Sequence, residues 1–164
     1  MKDASSVVLS ELISTATIKL NLSAANRDAV LEELVGQISS LADQPQMRQT
    51  LLRALQEREQ LHSTGIGEGI ALPHARNALV RLVDRPVIVF GRHAQGVPYE
   101  AIDGVPVRLF FLLIAPTVTQ HLAILARISR LLRDPKLRQN LLVADRPETV
   151  LTLIREAESK MQVG

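Results

Sequence analysis

Apolar residues recur along this chain with two spacings, one suited to strands and one to helices, and the two alternate from the first elements to the last. Over residues 15–22, Ile18, Leu20 and Leu22 fall on every second position, which predicts a strand with one apolar face. Ser23 is then placed to cap a helix reaching about residue 41, with Leu31, Leu34, Val35, Ile38 and Leu41 as its inward stripe. Pro45 suits the first turn of a second helix ending near residue 60, whose core-facing positions are Met47, Leu51, Ala54 and Leu55. Three apolar stretches follow, at 69–72, 86–90 and 107–114. The last two are nearly continuous in Val, Ile, Leu and Phe, as expected for strands covered on both faces. Asp103 and Gly104 mark a tight turn before the longest of them, so antiparallel pairing is expected there. Helical periodicity returns over 119–133, Asp134 and Pro135 start a further helix, and Pro147 starts a last one reaching about residue 158. The sum predicts an α/β fold: a three-layer α/β/α sandwich around a small mixed β-sheet.

Composition narrows this picture. With 164 residues the chain suits one domain, 1–164, with a core over about 9–157. The hydrophobic fraction of 46% and charged fraction of 22% are those of a globular protein without a long disordered tail. There is no cysteine, which removes disulfides, thiol catalysis and thiolate metal sites, and permits a reducing compartment. No apolar run reaches membrane-spanning length and residues 1–10 lack a leader-like core, so a cytoplasmic location without membrane insertion is expected. A formal charge of +2, scattered basic residues and 2% aromatics argue against a nucleic-acid partner.

Candidate chemistry gathers at Ile70-Ala71-Leu72-Pro73-His74-Ala75-Arg76, where an apolar strand ends in a proline and the next position is a histidine. Pro73 lacks a donor and places His74 at the strand's end or in a loop. A neutral imidazole there can attack phosphorus through a ring nitrogen; taken alone, His74 reads first as a turn histidine without a role, and the motif around it reverses that order. Gly65, Gly67 and Gly69 precede it at alternate positions and could offer backbone N–H groups to an anion. Arg58, three residues after Leu55 and four after Ala54, faces inward late in its helix, where a forked guanidinium can meet a phosphoryl group or serve the helix C-terminus. His121 opens a helix face continued by Ile124, Leu125, Ile128 and Leu132; it is expected to be neutral and either to orient a partner or to sit capped in the core. His62 and His93 are expected to be exposed. No histidine pair has helix-face ligand spacing, so no metal site is expected. The glycines lead into a strand and no Walker-type lysine follows, so no nucleotide site is expected either.

Three separated segments together resemble enzyme IIA of the bacterial phosphotransferase system, in its fructose, mannitol and nitrogen-regulatory (type 2) branch. They are Glu57-Arg58-Glu59 with Ser63-Thr64-Gly65, the run from Gly67 to His74, and Thr119-Gln120-His121-Leu122. The resemblance covers roughly 9–157. It implies that His74 accepts a phosphoryl group from the phosphocarrier HPr or its nitrogen-branch counterpart, on the ring nitrogen remote from the backbone. It also implies that Arg58 and His121 support the phosphate and that Thr64 lines the site, with no cofactor needed. Ala75 departs from the glycine commonest at that place, and the substitution is tolerable unless the backbone needs a positive φ there. Two versions follow from the resemblance. In one the protein regulates nitrogen, potassium or stress proteins through its phosphorylation state, which the lack of a fused IIB, IIC or HPr-like segment favours; in the other it serves sugar transport and passes phosphate to an enzyme IIB. A non-catalytic interaction module of the same fold is the reading from another class.

Overall fold

The computed structural model describes residues 7–75 and 82–163. In chain order its elements are β1 (Ile18–Lys19), α1 (Arg27–Val35), α2 (Pro45–Leu61), β2 (Gly65–Gly67), β3 (Ile70–Ala71), β4 (Val87–Val97), β5 (Val107–Ile114), α3 (Val118–Leu131), α4 (Pro135–Val143) and α5 (Pro147–Val163). The strands form one sheet in the order β1-β4-β5-β3-β2. Strands β4 and β5 are antiparallel, with Phe90 opposite Phe111, whereas β1 pairs β4 and β3 pairs β5 in parallel. The sheet is therefore mixed, as the sequence predicts.

Strand β5 explains the layering. Leu109, Phe111 and Leu113 point to one face, where they join Ile88 and Phe90 of β4 and residues of α3, α4 and α5 in one apolar cluster. Phe110, Leu112 and Ile114 point to the other, where they meet Val89, Tyr99 and the buried residues of α1 and α2. A strand buried on both faces needs helices on both sides, which is why its sequence is apolar without alternation. The chain's early residues close over the first cluster. The carboxylate of Glu158 on α5, itself 2% exposed, accepts the N–H groups of Leu9 at 2.6 Å and Ser10 at 2.9 Å and pairs with Arg127 Nε of α3 at 3.0 Å.

Several boundaries differ from expectation, each for a local reason. The predicted strand 15–22 is reduced to β1, because Thr15–Thr17 forms a 3-10 turn with reciprocal Ser14 and Thr17 capping. Asn26, not Ser23, caps α1, its side chain accepting from Ala29 N; Ser23 instead donates its N–H to Glu33. That helix ends at Val35, and Ile38 and Leu41 reach the core from a following 3-10 turn, Ser39–Leu41. Met47 is 37% exposed and does not face the core. Strand β4 runs seven residues past its predicted end at residue 90, through the polar stretch to Val97, with a register shift between Arg92 and Val97. Strand β2 is an added edge strand within the glycine run. Arg76 and residues 1–6 lie outside the described residues.

Candidate functional site

Parallel pairing builds the site. Because β3 and β5 run side by side in the same direction, with Ile70 opposite Leu109, their C-terminal ends lie together. Pro73 continues the ladder by accepting Leu113 N–H at 2.9 Å, and His74 makes an isolated parallel bridge to Leu113. The chain leaves β5, turns at Pro116, and starts α3 at the Thr117 N-cap, whose hydroxyl accepts Gln120 N–H. The first turn of α3 thus stands over the end of β3 and brings His121 to His74, with ring centroids 5.3 Å apart and planes at 62°.

The His74 ring has its tautomer set by a neighbour that can only accept. Its Nδ1 lies 2.6 Å from the Leu72 carbonyl oxygen, so Nδ1 carries the proton and donates it. Nε2, on the far side of the ring, is left with its lone pair. Burial pushes the His74 pKa below the ordinary imidazole value of 6.5; the Leu72 carbonyl works against this shift, and the Arg58 guanidinium adds to it. His121 is buried and shifted the same way, by burial first and then by the facing His74. Both imidazoles are consequently neutral near pH 7, a state suited to nucleophilic attack and to hydrogen bonding without a positive charge.

Arg58 is partly buried at the end of α2 and donates through Nη1 to the His62 carbonyl at 2.5 Å, so it serves the helix C-terminus. Its charge is also felt at His74. The two roles foreseen for this residue are therefore compatible.

Thr64 is placed differently from expectation. It is buried, its hydroxyl donates to Glu59 Oε2 at 2.5 Å, and its N–H donates to Glu59 Oε1 at 2.7 Å. Tyr99 OH donates to the same carboxylate at 2.6 Å. Thr64 therefore has no hydroxyl proton left for a phosphate. Glu59 lies outside the site residues singled out above, but the sequence does mark it: with Leu51 and Leu55 it continues the i, i+4 stripe of α2, so a carboxylate occupies a core-facing position. Burial and the adjoining carboxylate push the Tyr99 phenol well above its ordinary value, so it stays a donor.

Two N–H groups of the glycine run are already taken within the protein. Gly65 N–H is taken by Ser63 Oγ and Glu68 N–H by Asp103 Oδ2. The glycines of the run serve geometry: Gly67, Glu68 and Gly69 all have positive φ and form the tight turn from β2 to β3. Ala75 is not among the described non-glycine residues with positive φ, which are Glu68 and Glu100, so alanine is unstrained there. His62 is exposed as expected. His93 is not: it is buried in β4, and its Nδ1 accepts the N–H groups of Gln95 and Gly96, which fold the bulge of that strand. Among the described residues no group of three or more His, Asp or Glu could hold a metal, and no helix is long and apolar enough to cross a membrane.

Comparison with known proteins agrees with this architecture. The family model described as "Phosphoenolpyruvate-dependent sugar phosphotransferase system, EIIA 2" matches residues 11–157. The fructose-specific EIIABC component of Bacillus subtilis is 38% identical over 150 residues, which are 90% of this chain and 23% of that much longer protein. A nitrogen regulatory protein of Bradyrhizobium diazoefficiens is 32% identical over 135 residues, covering 81% of this chain and 85% of its own length. Among solved structures, the nitrogen regulatory protein IIA-Ntr of Neisseria meningitidis superposes with a TM-score of 0.78 at 26% identity, covering 90% of this chain and 99% of that one. With its mixed sheet, its paired imidazoles at the end of β3 and a match spanning all but the termini, the chain belongs to the type-2 EIIA family of the phosphoenolpyruvate-dependent sugar phosphotransferase system.

Proposed function

We propose that His74 is the phosphoryl acceptor of this EIIA and that its Nε2 is the reacting atom. The observation that carries this reading is the Nδ1–H···O=C contact with Leu72, which leaves Nε2 unprotonated, beside His121. The Nε2 lone pair forms the new N–P bond as the bond from phosphorus to the donor nitrogen breaks, and no proton moves in that step. The product ring is an imidazolium whose remaining proton is already given to a carbonyl, a charge-assisted bond that favours it. Arg58 and His121 meet the charge on the transferred group. Thr64 acts at one remove, through the backbone.

The donor is a phosphohistidine carrier, HPr or its nitrogen-branch counterpart, which places the exchange in the cytoplasm. We read the protein as regulatory, its phosphorylation state selecting the proteins it binds, on its likeness to nitrogen regulatory proteins in sequence and structure. Likeness to a fructose-specific component supports a second version, in which the next acceptor is an enzyme IIB.

Incubation with phosphoenolpyruvate, enzyme I and either carrier, followed by intact-mass and acid-lability measurement, tests the reading. One acid-labile phosphate is expected, absent from His74→Ala and acquired about 100-fold more slowly by His121→Ala. The faster carrier separates regulation from sugar transport. Normal acceptance by His74→Ala would refute the assignment, and no acceptance from either carrier would leave a non-catalytic interaction module.

A further inference from the structure

We propose that Glu59 is a positioning residue for His74, acting through Thr64 and the Leu72 carbonyl to hold the imidazole in its Nδ1–H tautomer. The inference rests on the reading of His74 as the phosphoryl acceptor.

Glu59 is 3% exposed on the apolar stripe of α2, where leucine would serve packing at far lower cost. A carboxylate is tolerable there only because three donors converge on it: Thr64 N, Thr64 Oγ1 and Tyr99 OH. What this arrangement achieves appears when the bonds are followed onward. Thr64 is gripped at its N–H and its hydroxyl by Glu59, and its own carbonyl accepts Leu72 N–H at 3.0 Å. The Leu72 carbonyl in turn accepts His74 Nδ1–H at 2.6 Å. A continuous path therefore runs from the buried carboxylate through Thr64, just before β2, and Leu72, just after β3, to the imidazole.

Tyr99 is the fixed end of this path. It is 1% exposed, its ring lies edge-on to Phe110 at 5.5 Å, and its carbonyl accepts the Ser63 hydroxyl at 2.6 Å. Residues 63 and 64 are thus held from two sides. The strand they hold needs holding, since β2 is a three-residue edge strand with two glycines and β3 has two residues. Ladder bonds alone leave such short strands loosely placed. A shift of the Leu72 carbonyl would free the His74 ring to exchange tautomers, and the Nε2–H form carries its lone pair on Nδ1, leaving none on Nε2 for attack. Glu59 also directly follows Arg58, so the same anchor fixes the helix end that carries the guanidinium.

The test uses the full chain, Glu59→Gln and Thr64→Val. Glutamine keeps the volume but turns one acceptor oxygen into a donor, so three donors no longer face matching lone pairs. Valine removes the hydroxyl at nearly constant volume. The readouts are the imidazole nitrogen NMR signals of His74 above its titration range, and the kinetics of phosphorylation by the carrier. The unmodified protein should show His74 with Nδ1 protonated. Both variants should populate the Nε2–H tautomer, and their maximal transfer rate should fall about 10-fold to 100-fold with KM for the carrier unchanged. If both variants fold and keep the tautomer and the rate, Glu59 is only a structural residue and the proposal is overturned. Should Glu59→Gln fail to fold, Thr64→Val decides by the same readouts. If the tautomer shifts but even the unmodified protein takes no phosphate, the positioning role stands and the acceptor reading falls.

Discussion

The proton on Nδ1 of His74 leaves the free lone pair on Nε2, and the burial of that ring sets how acidic the solution must be before Nε2 is protonated. His74 and His121 both lie below the ordinary imidazole value of 6.5, each chiefly through burial. In the unfolded chain each takes up a proton as pH falls through 6.5, while in the folded protein protonation waits for a lower pH. Their contribution to stability is therefore complete above 6.5 and is lost as pH falls through the folded values. Denaturation midpoints measured between about pH 7 and about pH 5 should drop on the acid side, and His74→Ala should flatten that limb. Phosphoryl acceptance should likewise hold its rate down to 6.5 and decline only in more acidic solution, in contrast to free imidazole. An acid limb that is unchanged in His74→Ala would show that the ring's burial does not act on folding.

Among the elements, α3 matters most to the site, because its first turn delivers His121. That turn rests on the Thr117 cap, whose hydroxyl accepts Gln120 N–H at 3.2 Å. Thr117→Ala should cost about 1 kcal/mol in denaturant unfolding and raise hydrogen exchange at the His121 amide, which bonds the Thr117 carbonyl. Unaltered exchange there would mean that packing of Ile124 and Ile128, not the cap, holds the turn. The starts of α2, α4 and α5 were legible because Pro45, Pro135 and Pro147 stand at their first positions. The inward stripes were legible too, and Leu31, Leu34, Leu51, Leu55, Ile124 and Ile128 are all buried. Strand ends were not. The polar residues after Phe90 carry no strand pattern of their own, yet they lie in β4: Arg92 is paired with Leu109 of β5, and His93 and Gln95 fall in the bulge between Arg92 and Val97, which the His93 ring folds. The site divides the same way: His74 and His121 stood out by motif and helix face, whereas the tie from Glu59 to Tyr99 spans 40 positions and leaves no local trace.

At the scale of the molecule, the α3–α5 layer is locked by one buried ion pair. Glu158 and Arg127 have side chains 3% and 15% exposed, and the same carboxylate satisfies two backbone donors of the first 3-10 turn. Removing one partner of such a pair strands the other charge, so Glu158→Ala should lower unfolding free energy by about 3–5 kcal/mol. Against a typical domain total of about 5–15 kcal/mol this is a large fraction, and the drop should show as a lower denaturant midpoint. A loss below about 1 kcal/mol would mean that Arg127 finds water when its partner is gone. The pair has a further consequence, since Glu158 grips Leu9 and Ser10 directly and residues almost 150 positions apart in the chain meet at one spot. A fold whose entrance and exit coincide can be spliced into a longer polypeptide, or reopened elsewhere with its old ends joined, without distorting the sheet. Such a body travels as a cassette, which suits a chain that matches 85% of a nitrogen regulatory protein and only 23% of a fructose-specific EIIABC component.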